Sequence, residues 1–220
     1  MRRQGFTMVE MLLVMGIIAV LALASTVAYD KVRATAERAR CSELVSQVET
    51  AMTALFETEG HWPKVIREGQ SQDGDFKNVI TEKVAGQLAG RNLISLTHNG
   101  YVTTGADRFG ILTPWARDVV KRMGRNARLD SVVSSTRQGK ITVKDNLLHY
   151  AVDLDGDGIV NNVRVCDGDK PLNIRGTVAI WSIGKSGGKA GKPWPYKEGC
   201  RRDDIYSWSV GHAREIEGKK

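Results

Sequence analysis

The chain has 220 residues, 41% of them apolar, and a net charge of +7, a composition that excludes collagen-like and wholly disordered proteins. Its length allows one good-sized core and excludes an array of several domains. The positive charge contains no block of five like charges, so it argues only weakly for an acidic partner surface. Three cysteines are too few for a scaffold built on disulfides.

The longest apolar stretch of the chain lies at its amino terminus. Residues 11–29 carry no charge, and residues 6–29 contain only one charged residue, Glu10. Because about twenty helical residues cross a bilayer core, residues 6–29 are predicted to form a membrane-spanning helix. The arginines upstream are expected to stay cytoplasmic. A secretory signal peptide cleaved near residues 22–24 is the alternative, but the helical pattern continues past that point into polar sequence.

Glu10 is costly in this position, because charges inside a membrane are usually paired and functional. It either reaches headgroups at the interface or meets a charged partner. The surrounding sequence Gly5-Phe6-Thr7-Met8-Val9-Glu10 follows a short basic leader and precedes the apolar run. This order and spacing resemble the type IV pilin and type II secretion pseudopilin family.

The resemblance implies a processing and assembly site. Gly5 would be the last leader residue, cut by a prepilin peptidase, and Phe6 would become an N-methylated amino terminus. Glu10 of an incoming subunit would then neutralise the Phe6 amine of its neighbour, since unpaired charges in a low dielectric are costly. The implied partners are other copies of the chain, related pseudopilins, the peptidase and methyltransferase, membrane lipid and an inner-membrane assembly platform.

The expected organisation is a leader at 1–5, a membrane and polymerisation helix at 6–29, an amphipathic continuation at 30–59 and a periplasmic head at 60–220. The expected location is the bacterial inner membrane, with a cytoplasmic amino terminus, and a filament after assembly. Apolar residues recur at helical spacing to about Thr58, where Gly60 and Pro63 favour a stop. Two helices with a joint near residues 25–26 are the alternative to one long helix.

The head is predicted to contain short strands separated by Gly, Asp and Asn, after helices at about 79–88 and 115–122. This pattern favours an antiparallel sheet and an α+β fold, with the long helix lying across the sheet. Residues 126–140 are interpreted as a loop with short strands. The predicted strands are 140–143, 147–154, 160–165, 177–183 and 205–210.

Parts of the head resemble the major pseudopilin of type II secretion. The matching pieces are 113–115, 150–158, 178–184 and 203–208, and residues 116–146 stand as an insertion relative to a typical member. The resemblance implies calcium held between the loop after the Trp181 strand and an acid near the last strand, Asp203 or Asp204. Four lysines in that loop, residues 184–199, argue against a cation there.

A calcium loop is also predicted directly from the residues at 153–161. Oxygen donors stand at positions 1, 3, 5 and 9 and Gly at position 6, as at the start of an EF-hand loop, although Arg164 replaces the acid expected at position 12. A Gly-Asp turn between two strands is the alternative. The candidate ligands are Asp153, Asp155, Asp157, the Ile159 carbonyl and Asn161.

The cysteines allow one bridge in the head. Cys166 and Cys200 would both face an oxidising periplasm, which permits a disulfide, and free thiols are the alternative. Cys41 is interpreted as a small buried apolar residue.

No catalytic constellation is predicted, and the expectation is a protein that is not an enzyme. Gly184-Lys185-Ser186-Gly187-Gly188 fits a nucleophile-elbow pattern, but a loop follows where a helix is required. The leading hypothesis is a filament subunit for which nucleic acid is not an expected partner. The alternative is a minor pilin whose basic head binds DNA or an anionic surface through cations with interleaved aromatic residues, namely Lys185, Lys189, Lys192, Lys197, Arg201 and Arg202 with Trp194 and Tyr196.

Overall fold

The computed structural model describes residues 7–70, 78–94, 109–136, 139–165, 171–183 and 205–208. Contacts divide the chain into two compact units, residues 1–39 and residues 40–220. The first unit contains the beginning of helix α1, Met8–Glu59, and the second contains its end.

In the first unit, α1 is continuous through residues 25 and 26, so the alternative of two helices with a joint there is wrong. Leu, Met, Ala and Ile dominate this part, and good helix formers without Pro explain the unbroken helix. The sequence predicts a membrane-spanning helix over residues 6–29. Among the residues that the structure describes, none of the helices combines the length and the apolar character that crossing a membrane requires.

In the second unit, one face of α1 is buried against the head. Its apolar residues recur at three- and four-residue spacing, as expected for an amphipathic helix. The buried members are Cys41, Leu44, Val45, Val48, Ala51, Met52 and Leu55. In the described part of the chain, three shorter α-helices follow, namely α2 Lys64–Gly69, α3 Glu82–Gly90 and α4 Pro114–Met123.

The strands are β1 Val132–Thr136, β2 Gly139–Thr142, β3 His149–Val152, β4 Ile159–Val163, β5 Leu172–Arg175, β6 Val178–Ser182 and β7 Ile205–Tyr206. Among the described residues they form three antiparallel sheets, with the strand orders β1-β2, β3-β6-β7 and β4-β5. The expected α+β fold with an antiparallel sheet is therefore confirmed.

The central sheet β3-β6-β7 is buried on both faces. Because side chains alternate along a strand, Tyr150 and Ile180 pack with α1, whereas Ala151 and Trp181 pack with the β4-β5 hairpin. The register pairs Tyr150 with Ile180 and His149 with Trp181. The second unit thus has three layers, with α1 residues 40–59 on one side of the central sheet and β4-β5 on the other. From here on, the head means this unit, residues 40–220.

Cys41 lies in the layer between α1 and the central sheet and is a free thiol. Burial raises the pKa of Cys41 to about 12, and a hydrogen bond with Ser182 opposes this shift. A thiol with such a pKa is unreactive at neutral pH, which fits the interpretation of Cys41 as a small core residue.

The sequence-based elements differ from the observed ones at several places. α2 and β5 have no counterpart among the predicted elements, and β1 lies in the stretch interpreted as loop with short strands. β7 ends at Tyr206, and the rest of the predicted strand 205–210 includes residues outside the described ranges. The missed elements have six residues or fewer, so too few positions are available to show a period.

Candidate functional site

The amino-terminal part of α1 exposes its apolar side chains in all directions. Met8 is 91% exposed and Leu12 is 76% exposed, and residues 8–23 are all exposed. We call residues 8–23 the apolar surface of α1. A monomeric soluble protein rarely exposes a contiguous apolar patch of this size, so the surface marks an interaction with a membrane or with other chains.

Glu10 is the one charged residue on this surface, and Thr7 holds its side chain. The Thr7 N–H and hydroxyl both donate to Glu10 Oε2, at 2.8 Å and 2.9 Å. The Glu10 N–H in turn lies 3.3 Å from the Thr7 hydroxyl oxygen. This reciprocal arrangement is a capping box, in which a Thr at the helix start and a Glu three residues later satisfy each other's backbone donors.

The capping box gives Glu10 a structural role that the sequence-based analysis missed. The signal was readable, because a Thr followed three residues later by a Glu, just before an apolar run, predicts a helix start. The predicted processing residues, Gly5 and Phe6, lie outside the described residues. What the structure shows is that the Glu10 carboxylate is bound by Thr7, the first described residue.

The second candidate site is the loop between β3 and β4. The Asp153 carboxylate accepts the Gly156 N–H at 2.7 Å and the Gly158 N–H at 2.8 Å, one on each oxygen. Both glycines have a φ of +78°, a conformation that favours glycine. Asp157 accepts the Ile159 N–H at 2.8 Å. These bonds account for the turn without any bound ion.

The same loop gathers the predicted calcium ligands. Carboxylate oxygens of Asp153, Asp155 and Asp157 lie within 4.8 Å of one another, with Asp153 buried and the other two exposed. A hydrogen bond with Asp153 is the largest cause of the raised pKa of Asp155, and the charge of Asp157 acts in the same direction. The loop thus concentrates negative charge that a cation would relieve.

Asn161 and the Ile159 carbonyl are the remaining predicted ligands, and they lie next to each other. Asn161 is exposed, and its amide nitrogen lies 3.5 Å from the Ile159 carbonyl oxygen that the calcium prediction would use.

The buried end of the loop is anchored by Trp62, whose indole N–H donates to the Asp153 carbonyl at 2.6 Å. Sequence spacing carries no signal for this contact, because the two residues are 91 positions apart.

Several predicted residues lie outside the described ranges. They are the alternative calcium acids Asp203 and Asp204, the cysteines Cys166 and Cys200, the serine motif around Ser186, and the basic stretch from Lys185 to Arg202 with its aromatic residues. The second calcium site, the disulfide and the DNA-binding loop accordingly stay predictions.

Comparison with known proteins supports the amino-terminal prediction. Residues 1–26 match the family model described as the prokaryotic N-terminal methylation motif. This motif is the hallmark of type IV pilins and pseudopilins, so the predicted resemblance is confirmed over these residues. No curated protein and no solved structure matches the chain.

Proposed function

We propose that the chain is the precursor of a structural filament subunit, cut after Gly5, methylated at Phe6 and assembled through its amino-terminal helix. The methylation motif at residues 1–26 is the observation that carries the proposal. Proteins with this motif are structural subunits that a prepilin peptidase processes and that assemble with other pilin subunits. Assembly, rather than catalytic turnover, is accordingly the proposed activity.

The apolar surface of α1 supports assembly. In a filament, helices of neighbouring subunits would cover residues 8–23 and remove their apolar area from water or lipid. Burial contributes about 25 cal/mol per Å² of apolar surface, so a helix exposed in all directions offers a large driving force. The apolar surface also suits a membrane anchor for the subunit before assembly, with the head on the periplasmic side.

Glu10 is the proposed electrostatic contact between subunits. After the cut, the Phe6 amine of one subunit would meet the Glu10 carboxylate of another in a low dielectric, where opposite charges attract strongly. The bonds from Thr7 orient this carboxylate in the isolated chain. The carboxylate has further lone pairs beyond those bonds, so it can accept an amine while Thr7 still holds it.

The type of filament is a finer proposal. The resemblance suggested by the head sequence to the major pseudopilin of type II secretion is our reason to propose a secretion pseudopilus rather than an adhesive pilus, with an inner-membrane platform as the assembly partner. The alternative is a minor pilin whose basic head binds DNA or an anionic surface through the residues from Lys185 to Arg202, which lie outside the described ranges. Calcium at residues 153–161 also remains a proposal, supported by the three clustered carboxylates.

The proposal is tested by mass spectrometry of the chain expressed with and without a prepilin peptidase. We expect the processed chain to begin at an N-methylated Phe6 only when the peptidase is present. Gly5→Leu should block the cut, whereas Gly16→Leu should leave it unchanged, because a side chain at Gly16 meets open space. A chain that still begins at Met1 in the presence of an active peptidase would overturn the proposal.

A further inference from the structure

The net positive charge of the chain is concentrated in residues 114–146. This segment contains eight cations and three acids, a net charge of +5 out of +7 for the whole chain. The rest of the chain holds 24 cations and 22 acids. A search for runs of like charges does not detect this concentration, because other residues separate most of the cations.

The described residues of the segment pack in one small apolar core, which they share with neighbours outside the segment that include Phe109, Leu112 and Leu147. α4 packs on the β1-β2 hairpin through buried apolar residues that include Ala116, Val120 and Val143. The Lys144 N–H donates to the Leu129 carbonyl at 3.0 Å, which ties the end of the hairpin to the turn after α4. The described cations of this segment therefore lie on packed secondary structure, which we call the folded platform.

Most of these cations face solvent. We call the exposed ones the basic face, which consists of Lys121, Arg122, Arg125, Arg128, Lys140 and Lys144. Of the three acids, Asp145 is used inside the fold, because it accepts the Thr142 N–H at 2.8 Å and the Thr142 hydroxyl at 2.7 Å. The other two acids, Asp118 and Asp130, are exposed, so six exposed cations and two exposed acids give a net charge of +4 on the exposed positions that the structure describes in this segment.

Exposed aliphatic side chains lie within this positive segment. Leu129 is 46% exposed and Val132 is 37% exposed. Among the described residues from 40 onward, Leu154 is the one other large apolar residue that is exposed. Exposed aliphatic groups beside several Lys and Arg are typical of a surface that lies on an anionic membrane.

The same residues argue against nucleic acid as the partner. Single-stranded nucleic acid is usually bound by exposed aromatic rings that stack on the bases, next to cations. The segment has one aromatic residue, Trp115, which is half-buried and packs on the core. Its indole N–H donates to Asn146 Oδ1 at 2.7 Å, so the ring is held in place by the platform.

We propose that the basic face binds the phosphate headgroups of an anionic phospholipid bilayer, with Leu129 and Val132 inserted between them. This binding is separate from the proposed filament assembly, which uses the mature amino-terminal helix, Phe6 and Glu10 with the apolar surface at residues 8–23. The two proposals therefore fail independently, and lipid binding can be measured on subunits that have not assembled.

The experiment uses the full chain with its apolar helix covered by a non-ionic amphipol. Sedimentation with vesicles of phosphatidylcholine mixed with phosphatidylglycerol is compared with sedimentation with phosphatidylcholine alone. We expect binding to the anionic vesicles only, and its loss at high salt, because exposed charges are screened. Lys121→Glu with Arg128→Glu should weaken binding by about tenfold or more, since each cation near an anionic surface contributes several-fold in affinity.

Matched variants test the location of the surface. Arg67→Glu with Lys83→Glu makes the same change in net charge at exposed positions on α2 and α3, and should bind like the parent. Leu129→Ser should weaken binding, whereas Leu154→Ser, at an equally exposed leucine, should not. Circular dichroism and thermal unfolding show that each variant is folded.

Three outcomes would overturn the proposal. The first is equal sedimentation with neutral and anionic vesicles, which would assign binding to the apolar helix. The second is an equal loss of binding in both charge-reversed pairs, which would assign it to net charge alone. The third is salt-dependent binding of a single-stranded oligonucleotide without vesicle binding, which would identify nucleic acid as the partner.

Discussion

The two units of the molecule place the same kinds of side chain in opposite environments. In residues 8–23, Leu12 is 76% exposed, whereas Leu55, further along α1, is fully buried in the head. Among the described residues, the head buries most of its large apolar side chains, with Leu129, Val132 and Leu154 as the exposed exceptions. The first unit leaves its apolar residues uncovered, and its proposed function lies in what covers them.

The largest expected effect is the loss of filament assembly when the charge of Glu10, in the first unit, is removed. Glu10→Gln keeps the shape of the side chain and an oxygen that can accept from Thr7, but removes the charge that would meet the Phe6 amine. We expect filaments to be lost in a reconstituted or cellular assembly assay read by electron microscopy. The thermal unfolding of the head should be unchanged, because Glu10 lies outside its core.

Thr7→Val is the matching variant, because it removes the capping hydroxyl and keeps the charge of Glu10. A lost N-terminal cap costs about 1 kcal/mol of local helix stability, so we expect fraying of the first turn with filaments retained. Glu43→Gln, at an exposed acid in the second unit, serves as a control. The electrostatic proposal is wrong if Glu10→Gln assembles like the parent, or if Thr7→Val abolishes filaments as completely.

The next largest effect sharpens the contrast between buried and exposed leucines. Leu55→Ala should lower the free energy of unfolding of the head by about 2–5 kcal/mol, because a large-to-small change in a packed core also leaves a cavity. Leu12→Ala should leave that free energy unchanged and weaken assembly instead. Denaturant unfolding followed by near-ultraviolet circular dichroism measures the difference. Equal effects of the two variants on unfolding would contradict it.

This contrast also explains what could be predicted from the sequence. The long helix and the antiparallel strands follow from local periodicity, which an amphipathic helix or a half-buried strand shows in a single sequence. The capping box of Thr7 and Glu10 was equally local, and it was missed because Glu10 was interpreted only through its charge. Local patterns therefore account for most of the first unit.

Much of the head depends on contacts between distant residues. β5 has four residues, and its strand conformation depends on pairing with β4 rather than on its own pattern. The bond from Trp62 to the Asp153 carbonyl joins the segment between α1 and α2 to the loop after β3, across 91 positions. Propensity is a weak guide to such elements, because tertiary packing decides them.

A smaller effect is expected at Asp153, whose carboxylate organises the β3-β4 loop. Asp153→Ala leaves the Gly156 and Gly158 N–H groups without their acceptor, and should cost about 2 kcal/mol of head stability in calcium-free buffer. Asp157→Ala removes a single accepted N–H at an exposed position and should cost less. Thermal unfolding measures both variants. An equal cost would indicate that Asp153 has no special role in the turn.

A variant in the same loop can distinguish its role as a turn from its proposed role as a calcium site. Asp155→Asn removes a charge crowded by Asp153 and Asp157, so it should not destabilise the head without calcium. A ligand that binds only the folded state raises stability in proportion to the logarithm of its concentration above Kd. If calcium binds, it should raise the unfolding temperature of the parent and not that of Asp155→Asn. An identical response of both chains would assign the loop to turn formation alone.

The smallest expected effect is a pH dependence at Glu49, which is half-buried on α1 within the head. Burial raises the pKa of Glu49 above its ordinary value of 4.5, and a hydrogen bond with Ser207 beside β7 opposes the shift. A pKa that folding raises means that the folded state favours the protonated form. The stabilisation that protonated Glu49 gives to the folded head is therefore fully present below pH 4.5. It is lost as the pH rises through the folded-state pKa of Glu49. We expect Glu49→Gln to reduce the decline in unfolding temperature across that window, whereas Glu43→Gln should retain it. Parallel pH profiles of the parent and Glu49→Gln would show that the α1 carboxylate is as well solvated in the folded head as in the unfolded chain.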